Sequence, residues 1–181
     1  MNDTYSQDYL QMQKELHKNP SYGVMSIHYA PLVRDLIKTS SALTLCDYGA
    51  GKQRLKQALD ALGVQNFAYF PYDPAFPEYG NATRSEIVTC IDVLEHIEPE
   101  YVEIVIKQLY DLTERFALLT IHSGPAQKVL PDGRNAHLIQ EQSGWWLRRI
   151  SLWFDVIELK PVENGFWLLA KPRLNRTVAV S

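Results

Sequence analysis

The period of the apolar positions changes along the chain. Over residues 5–17 and 24–38 (VMSIHYAPLVRDLIK) they recur at helical spacing, and the breaker NPSYG divides the two stretches, so two N-terminal helices are expected. From residue 42 onward, short continuous apolar runs take turns with helical stripes. The runs predict strands over 42–47, 66–72 (NFAYFPY), 86–92 (EIVTCID), 115–121 (RFALLTI), 154–161 and 165–171. The stripes predict helices over 51–62, stopped by Gly63, from Pro99 to about Glu114, and over 140–152. Residues 73–85, rich in Pro, Gly and Asn, interrupt the alternation. Strands separated by helices imply a mostly parallel α/β sheet with helices on both faces. Asn164-Gly165 between the last two runs signals a hairpin, which makes the final strand antiparallel. There is no internal repeat.

Composition narrows the class. With 181 residues and 46% apolar content the chain can bury a proper core. No apolar run approaches the roughly 20 residues that span a bilayer. The start, MNDTYSQDYLQMQ, is too polar for a signal peptide. A soluble, cytoplasmic protein without membrane contact is expected. Cys46 and Cys90 fall inside strands and read as buried thiols, not as a disulfide or metal pair. The net charge of −3 is uneven: residues 1–119 carry 16 acids and 10 bases, residues 120–181 carry 5 and 8. No basic run of the nucleic-acid-binding kind accompanies that asymmetry.

The chemistry begins at LTLCDYGAGKQRL, residues 43–55. A phosphate-binding P-loop needs an earlier glycine where Cys46 stands and Ser or Thr where Gln53 stands. A dinucleotide fingerprint needs Gly or Ala at its third position, occupied here by Arg54. What remains is Asp47-x-Gly49-x-Gly51 at a strand-to-helix corner, a turn suited to a ligand without pyrophosphate, of which S-adenosylmethionine is one.

CDYGAGKQRL resembles the first motif of class I S-adenosylmethionine-dependent methyltransferases, YDPAFPEY resembles their second, and IDVLEHIEP is similar to a segment common in their small-molecule branch. The resemblance covers roughly residues 40–171 and implies a Rossmann-like core there, within a single methyltransferase domain over 1–181, with a helical cap over 1–39 and a tail over 172–181. It also implies S-adenosylmethionine as cofactor, lined by Asp47, Tyr48, Gly49, Ala50 and Gly51 at the methionine end, by Asp73 and Pro74 at the ribose, and by Ile91, Asp92 and Val93 beside them. Asp73, expected at an exposed loop start, would accept both ribose hydroxyls; as a plain turn-former before Pro74 it would do nothing of the kind. One departure stands out. Only 12 residues, 74–85, separate Asp73 from the next strand, too few for the helix and third strand the family fits there. The sheet is therefore expected to lack an edge strand and helix, leaving an edge through which a homodimer could form. Asn81 and Ala82 are the nearest candidates for the adenine.

For the reaction, His96, His122 and His137 are expected on the rim where parallel strands end, and with Glu95 they are the candidate catalytic residues. DVLEH followed 41 residues later by NAHL is also similar to small-RNA terminal 2′-O-methyltransferases, in which two acids and two histidines hold a divalent metal. That resemblance makes Asp92, Glu95, His96 and His137 an alternative metal set. Asp92 replaces the family's Glu, and the Leu-Glu-His-Ile segment occurs in methyltransferases that use no metal, so a metal-free site is the leading expectation. Trp145 and Trp146 cannot both face inward from a helix, and one of them is a candidate stacking platform for the acceptor. The expected reaction is methyl transfer to an oxygen of a small molecule, a sugar or an RNA end. The alternative is a non-catalytic adenosyl-binding or partner-binding domain; a nicotinamide oxidoreductase is disfavoured by Arg54.

Overall fold

The computed structural model describes residues 4–174, so most of the expected tail, from residue 175, lies outside the described residues. Helices α1 (Gln7–His17) and α2 (Met25–Ser40) precede strand β1 (Thr44–Tyr48). Helix α3 (Arg54–Ala61), strands β2 (Ala68–Tyr72) and β3 (Ser85–Ile91), helix α4 (Val102–Leu112), strand β4 (Thr113–His122), helix α5 (Ser143–Ile150) and strands β5 (Phe154–Val162) and β6 (Gly165–Pro172) follow. Among the described residues the strands form one sheet in the order β2-β1-β3-β4-β6-β5. Strands β1 to β4 are parallel, and β6 is antiparallel to both β4 and β5. The hairpin closes at Asn164, whose φ of 61° is the left-handed conformation such a turn requires.

Alternation along each central strand sends side chains into two separate apolar layers. Leu45, Ile87, Leu118 and Trp167 face α2 and α3, whereas Cys46, Val88, Leu119 and Phe166 face α4 and α5. Helices therefore cover both faces, as the pattern predicts. Trp146, Phe154 and Phe166 are fully buried in the second layer, each contributing about 2–3 kcal/mol through removal from water. Both cysteines are free and buried.

The missing edge is real. Strand β2 has a partner on one side only, and the segment before β3 contains a single 3₁₀ turn, Pro77–Tyr79. Several helix ends differ from the periodicity, α5 among them, which runs Ser143–Ile150 and not 140–152. Helix α3 starts at Arg54 and not at 51, because Gly51 and Gln53 adopt left-handed φ values of 49° and 54°. Pro99 lies in a turn ahead of α4, where the Tyr101 N–H donates to the Glu98 carbonyl. Helix α4 stops at Leu112 because Thr113 Oγ1 donates to the Leu109 carbonyl as the chain turns into β4. No described helix is long and apolar enough to cross a membrane.

Candidate cofactor and acceptor site

A cavity of about 400 Å³ lies over the carboxyl ends of β1, β2, β3 and β4, the rim at which open α/β sheets bind ligands. All ten residues expected around the cofactor lie along it, as do His96, His122 and His137; Glu95 does not and is fully buried behind it.

The glycine turn is shaped by two close approaches. Gly49 has φ 80°, and a Cβ there would sit 2.3 Å from Val93 Cγ2. Gly51 has φ 49°, and a Cβ there would come 3.2 Å from the His17 ring. Gly49 thus makes room for a protein side chain on β3's loop, a demand the motif alone does not reveal. The N–H groups of Gly49 and Ala50 both donate to the Tyr72 carbonyl, at 2.8 and 3.0 Å, tying the turn to the end of β2.

Two acids flank this turn. Asp47 accepts from Thr89 Oγ1 at 2.9 Å and from the Tyr69 hydroxyl, and burial raises its carboxyl to about 6. Asp73 is buried, with 9% of its surface exposed, and so is not at the exposed loop start expected of it. Its Oδ2 accepts the Gly51 N–H at 2.9 Å and its Oδ1 the Ala75 N–H at 2.8 Å. Burial raises its carboxyl too. Each oxygen keeps one lone-pair direction free, which suits the two hydroxyls of a diol. Asn81 and Ala82, the candidates for the adenine, do not line the cavity. They lie in the short link between the 3₁₀ turn and β3, where Ala82 packs against the core.

Across the cavity, the chain leaves β3 through Asp92, held at φ 59° with its N–H donating to Thr120 Oγ1 at 3.0 Å. A 3₁₀ turn, Leu94–His96, follows. It carries Glu95 inward and His96 to the cavity. Glu95 Oε1 accepts the His122 N–H at 2.6 Å, whereas Oε2 has no partner. Burial, then the nearby Asp92 charge, pushes the Glu95 carboxyl well above the usual carboxylate range. One oxygen each of Asp92 and Glu95 and one ring nitrogen of His137 lie within 4.8 Å of one another. A cation between two carboxylates this close would relieve their mutual repulsion.

His96 stands outside that trio. Its Nδ1 donates to the Ala136 carbonyl at 2.7 Å, and burial depresses its basicity to about 4. The expected four-residue metal set is thus reduced to three, because the ring position of His96, edge-on against His137 at 4.6 Å, leaves it outside the group of ligand atoms that lie within 4.8 Å of one another. His137 Nδ1 likewise meets the Gly124 carbonyl at 2.7 Å, leaving Nε2 as the free ring nitrogen. His122 lies 4.8 Å from the His137 ring and accepts the Gly124 N–H on Nδ1.

Several residues that build the site carry no signal in their neighbourhood of the sequence. Asn135 accepts the Ala126 and His137 N–H groups on Oδ1 and donates to the Ala126 carbonyl, all at 2.9 Å, and so places His137. Helix α1 lies over the cavity: the Tyr22 hydroxyl donates to Gln13, Gln13 to Tyr9, and the Tyr9 hydroxyl to the His96 carbonyl. Ser6 N–H and hydroxyl both donate to Glu98 at 2.7 Å, anchoring the start of α1. The tryptophans take no part. Trp146 is fully buried in the core, and Trp145 packs beside it under the Arg149 guanidinium, 3.4 Å from its ring.

No family model matches this chain, and no curated protein matches it. Solved structures do. The magnesium protoporphyrin IX methyltransferase of Synechocystis PCC 6803, with bound S-adenosylhomocysteine, is 16% identical with a TM-score of 0.53, covering 81% of this chain and 83% of that one. The 1,6-didemethyltoxoflavin-N1-methyltransferase of Burkholderia thailandensis, holding its substrate and S-adenosylhomocysteine, is 12% identical with a TM-score of 0.61 over 91% and 89%. A complex of DhpI with S-adenosylhomocysteine gives 11% and 0.57 over 92% and 98%. The fold is that of the class I S-adenosylmethionine-dependent methyltransferases.

Proposed function

We propose that this protein is an S-adenosylmethionine-dependent methyltransferase acting on an oxygen of a small-molecule acceptor. The reading is carried by one cavity at the ends of parallel strands, with the Gly49–Gly51 turn and Asp73 on one side and His96 and His137 on the other. S-Adenosylmethionine, when bound, supplies a methyl group made electrophilic by its sulfonium. The chain's own residues hold and align. Asp73 receives the ribose hydroxyls on the lone pairs its backbone donors leave free. Asp47 fixes the turn through Tyr69 and Thr89. His96 and His137, each with Nδ1 held by a backbone carbonyl, keep Nε2 to orient the acceptor's hydroxyl. The relatives above that carry substrate names methylate small molecules, a didemethyltoxoflavin and magnesium protoporphyrin IX, which supports this acceptor class.

Calorimetric binding of S-adenosylhomocysteine, with turnover of labelled S-adenosylmethionine on a panel of phenols, sugars, amines and short RNAs, tests the reading. At 100 times its dissociation constant the ligand should add about 2.7 kcal/mol of stability, or roughly 5–10 °C in Tm for a chain of this size. A shift with NAD and none with either adenosyl ligand would overturn it. Binding without transfer to any acceptor would favour the non-catalytic alternative.

The Asp92, Glu95 and His137 trio supports a second reading, a metal-assisted transfer. A divalent ion held there would lower the pKa of an acceptor hydroxyl, and the mixed carboxylate and imidazole donors suit Mn²⁺ or Fe²⁺ better than Ca²⁺. The unpartnered Glu95 oxygen and the free His137 Nε2 are the atoms that fit it. Activity before and after EDTA, with elemental analysis, separates the two readings. Full transfer by metal-free protein, lost in His96→Ala, leaves the imidazole to act alone; activity lost in EDTA and restored by Mn²⁺ assigns the metal.

A further inference from the structure

His17, the last residue of α1, is more than 30 residues from the cofactor turn in sequence, yet its ring packs against the same corner. Its Cε1 is 3.2 Å from where a Gly51 Cβ would stand, and its Nε2 is 4.0 Å from Asp73 Oδ2. The rings of Tyr22 and Phe76 hold it edge-on, each with its centroid 5.0 Å away. Only 13% of the side chain is exposed, and Nδ1 is buried without a hydrogen-bond partner. Nδ1 is turned under the Gly51 turn, and the nitrogen that faces the cavity corner shared with Asp73 is Nε2. A gap of 4.0 Å to Asp73 is too long for a hydrogen bond. The imidazole and the carboxylate instead face the same small space.

We propose that His17 is a cofactor-contacting residue, which grips the adenosine ribose together with Asp73 and so fastens α1 over the bound cofactor. The proposal rests on the reading of this cavity as an S-adenosylmethionine site. Three observations support it. The imidazole is neutral at physiological pH, since burial and the Lys52 charge hold it at about 4, and a neutral ring offers one donor and one acceptor, the complement a ribose hydroxyl needs. The segment after His17 is clasped to the cofactor turn: Lys52 Nζ donates to the Asn19 and Tyr22 carbonyls at 2.7 and 3.2 Å, and Arg54 to the Pro20 carbonyl at 2.6 Å. Finally, His17, Gly51 and Asp73 line one cavity of about 400 Å³, within the size range of ligand sites.

The experiment compares wild type, His17→Leu, which keeps the bulk against Tyr22 and Phe76, and His17→Gln, which keeps a polar atom near the Nε2 position. Each is titrated calorimetrically with S-adenosylhomocysteine and with its 2′,3′-dideoxyribose analogue, and amide exchange of residues 7–17 is followed with and without the ligand. The expected result is about 10-fold weaker binding of S-adenosylhomocysteine by His17→Leu, no such loss for the dideoxy analogue, partial recovery in His17→Gln, and ligand-dependent protection of α1 only where binding is tight. A merely structural histidine would weaken both ligands alike; that outcome, or wild-type affinity in His17→Leu, overturns the proposal. A wild type that binds neither ligand overturns the cofactor reading itself, and this inference with it.

Discussion

On the glycine-turn side of the cavity both carboxylates have every oxygen engaged: Asp47 by Tyr69 and Thr89, Asp73 by the N–H groups of Gly51 and Ala75. On the histidine side Glu95 keeps an oxygen with no partner, Asp92 crowds it, and three imidazoles stack within 5 Å of their neighbours. The carboxylates of the first wall are engaged by the protein, although the His17 Nδ1 beside them is not, and spare carboxylate lone pairs are left for a polar ligand. The second is incomplete until a proton, an acceptor or an ion enters. That difference separates binding from chemistry: a rigid, satisfied wall costs nothing to reorganise when a cofactor docks, and a strained electrostatic wall has something to gain from what arrives.

The comparison breaks most directly at Gly49. Gly49→Ala places a methyl against Val93 and forces a left-handed backbone on an L residue, which should cost about 2–3 kcal/mol and lower Tm by roughly 5–12 °C in a scanning calorimeter. An unchanged Tm would show that the turn is looser than its contacts. Asp73→Asn is the next probe. It retains the shape and the acceptor for one backbone N–H, but loses the charge that would face the ribose. Binding of S-adenosylhomocysteine should weaken about 10- to 100-fold while the melting transition stays cooperative; normal affinity would remove Asp73 from the site.

The smallest effect is in pH. His17 titrates at about 4 in the fold against 6.5 when free, so the unfolded chain binds a proton that the folded one refuses between those values. Its share of stability is intact above pH 6.5 and is lost as pH falls to about 4, with a slope on the order of 1 kcal/mol per pH unit in mid-window. The raised carboxyls of Asp47 and Asp73 act with the opposite sign over their own ranges. Only the difference between wild type and His17→Asn, from urea titrations at pH 4 to 7, isolates the histidine. Equal slopes in the two proteins would contradict it.

The two walls also differ in how far they could be read from the chain. The glycine turn and Asp73 sit at the ends of successive strands, so strand periodicity alone puts them side by side. Where the reading erred, as with Asp73's exposure, a neighbour from another element was responsible: α1 with His17 roofs that corner. The histidine wall draws on residues 92 to 137, and its composition depends on which atoms the intervening loop consumes. DVLEH and NAHL look alike as ligand sources, yet the Ala136 carbonyl anchors the His96 ring away from the cluster, and the trio is Asp92, Glu95 and His137.

What the sequence determined by itself was the order and type of the strands, the missing edge between Asp73 and β3, and the class of turn after β1. Those follow from side-chain period and from conformations that few residues adopt, both properties of adjacent positions. Only the tertiary structure decided that α1 closes the cavity, that Asn135 aims His137, that His96 leaves the acid cluster and that Trp145 and Trp146 are spent on packing and not on the acceptor. Such outcomes depend on which polar atoms are left unpaired once distant elements meet. That is settled by the burial of the whole chain, and no local pattern of residues encodes it.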